Sequence, residues 1–197
     1  MSGMGMSVKS NIDQVVRQFR GIDKKVVNKA IVTALNKTGD QVKTLAKKEI
    51  ASATGIKAGR VSKRITVKKA TWNNQNYRLR VEGRHFSLSS YTPKPKETKT
   101  GVKHSAWGQR QVAKGAFIIN GMGGNQVVVK RVRGQTDGKG RPKIKALYGA
   151  SAPVEYFRAD VDEKLKAKVK EKFPKLLATA LDFQFRKSMN KGKKIVK

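Results

Sequence analysis

Two histidines, thirteen acidic residues and no cysteine are what the 197 residues offer for catalysis or metal binding. Without a thiol there are no disulfides, no thiolate metal sites and no cysteine nucleophile, and the redox compartment cannot be read. His85 and His104 stand apart with no carboxylate at ligand spacing, so each reads as a surface or loop histidine. The densest acidic group is Asp160-Val161-Asp162-Glu163, a composition able to hold a divalent ion for nuclease chemistry. It also opens a helix, where acidic side chains cap free N–H groups and complement the dipole, and that is the preferred reading. No Ser sits in a Gly-x-Ser-x-Gly elbow. Gly121–Gly124 and Gly138-Lys139-Gly140 lack the P-loop pattern and read as turns. No catalytic, metal or cofactor residue is assigned, and the chain reads as a non-enzyme.

Charge points elsewhere. Forty-five Lys and Arg against thirteen acids give a formal +32, a field whose self-repulsion a polyanion would offset. Nucleic acid is the first candidate. A membrane surface is weaker, because the cations spread over the chain instead of lying on one amphipathic helix. There is no apolar stretch long enough for a membrane span and no signal-peptide core over residues 1–10, so assembly in the cytosol is expected. Zinc fingers, aromatic RNA-binding strands and a helix-turn-helix are all missing, leaving phosphate contact that positions without specifying sequence. The expected contact residues are Lys94, Lys96, Lys99, Lys103, Arg110 and Lys114 in one segment, with Lys139 and Arg141 in another.

The elements that must position them follow from periodicity. Residues 1–7 are read as flexible or fitted onto a partner, and Ile12, Val15, Val16 and Phe19 fall at helical spacing over 8–19. A long amphipathic helix is predicted over 23–51, opened by Asp23 and weakened at Gly39. A short basic helix over 56–64, with Thr54 as its cap, completes a helical 8–64. The period then changes to two over 65–67 and 77–81, with residues 72–76 as the turn and 86–89 as a third strand. Residues 92–114, broken by Pro and Gly, read as a long extended basic loop. Residues 115–119 and 126–132 read as a hairpin, followed by a second mobile loop over 134–143.

The stretch 143–157 joins the last strand, 144–148, to the C-terminal helix through a Gly-Ala-Ser-Ala-Pro corner. Small residues there let backbones approach, and Pro153 suits a first helical turn. The helix runs from 153 or 160 to about 189, with Pro174 kinking or splitting it and a basic tail over 191–197. Leu147, Tyr148, Pro153, Tyr156 and Phe157 are candidates for subunit contact, with an internal core as the competing reading. A single α+β domain over 1–197 is expected, helical at both ends and antiparallel β between.

Several pieces, in order, carry a resemblance: Ala34-Leu35-Asn36-Lys37-Thr38, Gly55-Ile56 with Val61 and Arg64-Ile65, Gly115-Ala116-Phe117-Ile118, Val129 and Arg131, and Pro142 with Ile144-Lys145-Ala146-Leu147-Tyr148-Gly149 and Ser151-Ala152-Pro153. Across about 25–160 the chain resembles the minor tail protein Z family of long-tailed phages and prophages, related to neck and tail-completion proteins. The resemblance implies a structural virion protein of the tail or neck, assembled in the bacterial host cytoplasm. It implies a closed, six-fold related ring coaxial with the tail, which supports head–tail joining and DNA passage. Its expected partners are other copies of itself, tail terminator or tail tube proteins, head–tail connector proteins and double-stranded DNA in the lumen, without a membrane or cofactor. The rival reading is a free-standing, non-specific nucleic-acid-binding protein of ribosomal or chromatin type; a nuclease stands third.

Overall fold

The apolar stripe of the long helix is the most regular feature of the chain. In the computed structural model, which describes residues 4–9, 23–121 and 124–193, it becomes α1, Lys24–Thr54. Asp23 starts the helix, its Oδ1 accepting the Lys25 N–H at 2.9 Å. Val27, Ile31, Leu35, Thr38, Val42, Ala46 and Ile50 are all buried. The stripe advances by four residues per turn towards its end, so Leu45 and Glu49 rotate to its margin. The expected helix over 8–19 falls largely outside the described residues. Its first two residues, with most of the segment expected to be flexible, instead form strand β1, Met4–Lys9.

The described chain falls into two compact units, Met1–Ala46 with Ile65–Val81 and Asp160–Lys197, and Lys47–Arg64 with Glu82–Ala159. In the first, β1 and β2 (Ile65–Lys68) flank β3 (Asn76–Val81), both antiparallel to it. Tyr77, Leu79 and Val81 are buried and Arg78 and Arg80 exposed, the period-two pattern of a half-buried strand. Residue 36 ties helix to sheet end: Asn36 Nδ2 donates to the Ala70 carbonyl at 3.0 Å, and its Oδ1 accepts the Ala70 N–H at 2.8 Å. The core joins Val27, Ala30, Ile31, Ala34 and Leu35 to Ala180 and Leu181 of the last helix.

The second unit holds two antiparallel sheets. One is β4 (Lys96–Thr98), β5 (Gly101–His104) and β6 (Gln111–Lys114), and the other β7 (Ala116–Asn120), β8 (Gln126–Thr136) and β9 (Pro142–Ala146). The expected loop over 92–114 is therefore about half strand, the three strands forming one sheet. Val102, His104, Ser105 and Ala106 give it a buried side that the high charge of the segment masks in sequence. The loop expected over 134–143 is half strand: β8 and β9 continue as a two-stranded ribbon, Arg131 opposite Ile144 and Thr136 opposite Pro142, and only 137–141 form the turn that closes it. The expected strand over 86–89 shortens to one bridge, Ser87 to Tyr148, and then a 3-10 turn over Leu88–Ser90. Strand β9 ends at Ala146, and Leu147 still donates to the Val128 carbonyl of β8 at 2.8 Å before the corner.

Two short helices complete this unit, α2 (Ala58–Ser62) and α3 (Ala152–Arg158, Pro153 in its first turn). Thr54 ends α1 and does not cap α2, donating to the Ile50 carbonyl at 2.7 Å. The corner after β9 is as tight as its small residues suggest. Ala150 N–H donates to the Tyr91 hydroxyl at 2.7 Å, and a Cβ on Gly149 would lie well under 3.0 Å from that oxygen. The C-terminal helix α4, Val161–Lys193, belongs to the first unit and continues unsplit through Pro174. Asp162 and Glu163 lie in its first turn, where negative charge complements the dipole, and Asp162 also meets Lys166 Nζ at 2.6 Å.

Candidate polyanion interface

Thirteen Lys and Arg lie between residues 92 and 146, against two acids, Glu97 and Asp137. Both acids are occupied by backbone. Glu97 Oε1 accepts the Ile118 N–H on the open edge of β7. Asp137 Oδ1 accepts the Lys139 and Arg141 N–H groups, each at 2.9 Å, and so builds the turn that ends the ribbon. No ion pair joins any of the thirteen cations to a carboxylate among the described residues.

Strand pairing concentrates this charge. Lys96 and Lys103 are direct cross-strand partners, so their side chains leave the sheet on the same face. Like charges so placed are destabilising by about 0.2–1 kcal/mol, which nothing in the sheet offsets. Lys94 and Arg110 join them around a cavity of about 270 Å³, also lined by His104 and Ser105. Four of the expected contact residues, Lys94, Lys96, Lys103 and Arg110, therefore come together. Lys99 sits in the β4–β5 turn, and Lys114 pairs with Gly101 at the far end of β6.

His104 is buried, and its Nδ1 accepts the Ala106 N–H at 3.3 Å. Burial holds its pKa below the ordinary imidazole value, so it is neutral near pH 7. His85 Nδ1 lies 3.0 Å from the Gly149 carbonyl oxygen and serves the corner. Among the described residues no three His, Asp or Glu side chains gather as metal ligands.

Between β5 and β6 the chain passes through Trp107, whose φ of 56° is left-handed for a residue with a side chain. Two contacts hold it there. Its Nε1 donates to the Glu155 carboxylate at 3.0 Å, and Gly55 leaves room behind, since a Cβ on Gly55 would strike the Gly108 N–H. Glu155 is buried and also meets Arg158 at 3.6 Å. The indole is left partly exposed.

Lys139 and Arg141 occupy the ribbon tip. Sequence reasoning missed the cations behind them: Arg131, Arg133, Lys143 and Lys145, all exposed along the ribbon. The alternation of Arg131, Val132 and Arg133 was the available signal that β8 runs on. Arg131 also lies over the Phe117 ring, 4.9 Å from its centroid. Of the expected subunit contacts, Tyr148 and Phe157 are exposed and Leu147 and Pro153 half-buried. Tyr156 is a core side chain, 2% exposed, because α3 turns it inward with Glu155. Val154, exposed one turn before Phe157, was not anticipated.

No helix among the described residues is long and apolar enough to cross a membrane. Comparison with curated proteins and with solved structures finds no match. Against known families, residues 9–191 match prophage minor tail protein Z (GPZ), a span covering nearly the whole chain, and the protein belongs to that family.

Proposed function

We propose that this minor tail protein completes a phage tail at its neck end as a closed, six-fold related ring that supports head–tail joining. Tail terminator or tail tube proteins and head–tail connector proteins are its neighbours, and double-stranded DNA passes through its lumen. The protein acts by assembly and carries no catalytic step. The observation that carries this reading is the second unit's uncompensated charge, thirteen cations whose two acidic neighbours both serve backbone N–H groups. Such a surface suits a sequence-indifferent wall facing DNA, since phosphate contact holds a duplex without reading it. Heterologous contacts between copies close into a ring where the rotation permits, and exposed Tyr148, Val154 and Phe157 supply apolar area for them.

Quantitative mass spectrometry of purified phage particles tests the assignment. A low, fixed copy number in step with other neck proteins is expected. Abundance in the cell with absence from particles would overturn it and favour a free nucleic-acid binder.

A further inference from the structure

Seven cations and one acid lie between residues 130 and 145, along the ribbon of β8 and β9. The acid, Asp137, is engaged by the backbone of the turn, and none of the seven cations has a carboxylate partner among the described residues. Strand β7 pairs with β8 only over Gln126–Lys130, so from Arg131 onward the ribbon is two strands wide. Residues 133–145 are all exposed, and neither face of the ribbon is covered.

Register decides which face each cation takes. Lys130 and Lys145 are direct partners and share one face, and Lys143, two residues along β9, takes the same one. Arg131, opposite Ile144, leaves by the other face and stays exposed over the Phe117 ring. The ribbon therefore presents positive charge on both sides. A flat anionic surface would meet one side and leave the other unmatched, whereas a groove walled by phosphates meets both. A pleated ribbon with its side chains is about 10 Å thick, judged by how far apart sheets stack. That fits the major groove of a duplex, about 12 Å wide, and not the minor groove, about 6 Å wide. A second copy of the chain is the poorer occupant, since it too carries +32.

We propose that the β8–β9 ribbon enters the major groove of duplex DNA, with Arg131 towards one phosphate wall and Lys143 and Lys145 towards the other. The proposal rests on reading DNA as the partner of this unit, and it names the element and the groove used. The turn holds the tip in shape, Asp137 N–H donating to the Arg141 carbonyl at 2.7 Å, so entry requires little ordering of the chain. Contact with the walls positions the duplex without reading its sequence.

Dimethyl sulfate footprinting of a short mixed-sequence duplex, saturated with the full-length protein, tests the groove. Guanine N7, in the major groove, should lose reactivity while adenine N3, in the minor groove, keeps it. Two variants test the walls. Arg131→Gln and Lys143→Gln/Lys145→Gln should each flatten the slope of log K against log salt, by about 1 and about 2. Both replace exposed side chains, and an unchanged thermal melt shows that the fold is kept. A slope change in only one of them means a flat contact and overturns the groove. Protection of adenine N3, or duplex binding with both atoms still reactive, also overturns it and leaves DNA contact by this unit standing. No duplex binding at all overturns both. Weakened self-association of the variants at unchanged duplex affinity assigns the ribbon to a second copy instead.

Discussion

The Tyr77 ring lies across the backbone of α1 at Gly39, where an added Cβ would sit well under 3.0 Å from the ring carbons. The same tyrosine donates to Asp40 Oδ1 at 3.2 Å, and Asp40 Oδ2 accepts from Lys69 at 3.0 Å. Glycine in a helix interior ordinarily costs about 1 kcal/mol relative to alanine. Here Gly39→Ala should destabilise by about 1–3 kcal/mol, because a fully buried ring has nowhere to retreat. Denaturant unfolding measures it, and a raised midpoint would refute the steric account.

The Tyr77 phenol is held protonated well above its ordinary value of 10.0, first by burial and then by the charge and hydrogen bond of Asp40. A folded-state pKa above the unfolded one gives stability that is complete below about pH 10 and lost as pH climbs towards the folded value. Tyr77→Phe removes this group from the balance. Its unfolding free energy should fall less steeply than the parent's above pH 10, and parallel curves would show that the phenol is not the source.

Much of this first unit is legible in sequence. Val27, Ile31 and Leu35 announce α1, and Tyr77, Leu79 and Val81 announce β3, because each element buries one face of a regular period. The basic sheet is not legible. Lys96, Lys103 and Lys114 dominate a segment in which Val102 is the one large apolar side chain buried, beside small or polar Pro95, Gly101, His104, Ser105 and Ala106. Its strands are three or four residues long, too short for a period to show. The cavity was half visible: its cations were named, but nothing local says that Lys96 stands opposite Lys103 or that His104 lies behind them. Gly39 was read as a weakness since its reason, Tyr77, lies in another element.

Replacing Lys94, Lys96, Lys99 and Lys103 together with Ser removes charge from exposed positions only. The fold should remain, with a melting temperature unchanged or slightly raised as like-charge repulsion is relieved. Particle infectivity should drop through faulty joining or DNA passage. Full infectivity would end the assignment of this sheet to either task.

The ribbon makes a separate, salt-resolved prediction. Each phosphate contact contributes about −0.9 to the slope of log K against log salt on duplex DNA. Changing Arg133, Lys139, Arg141 and Lys143 to Gln should flatten that slope by about 3–4 without introducing sequence preference. An unchanged slope in a fluorescence anisotropy titration would place the duplex elsewhere.

Strand β9 borders its sheet and leaves one row of peptide groups open to any extended segment that comes near. Pro142, Lys143 and Lys145 guard this border around the exposed Ile144. That guard is electrostatic, reaching about 10 Å at 0.1 M salt and about 3 Å at 1 M. Brine strong enough to strip nucleic acid from the protein therefore also disarms its protection against strand-to-strand clumping. The cleanest preparations should be the most prone to precipitate, and a polyanion acts for this chain as a solubiliser as well as a target.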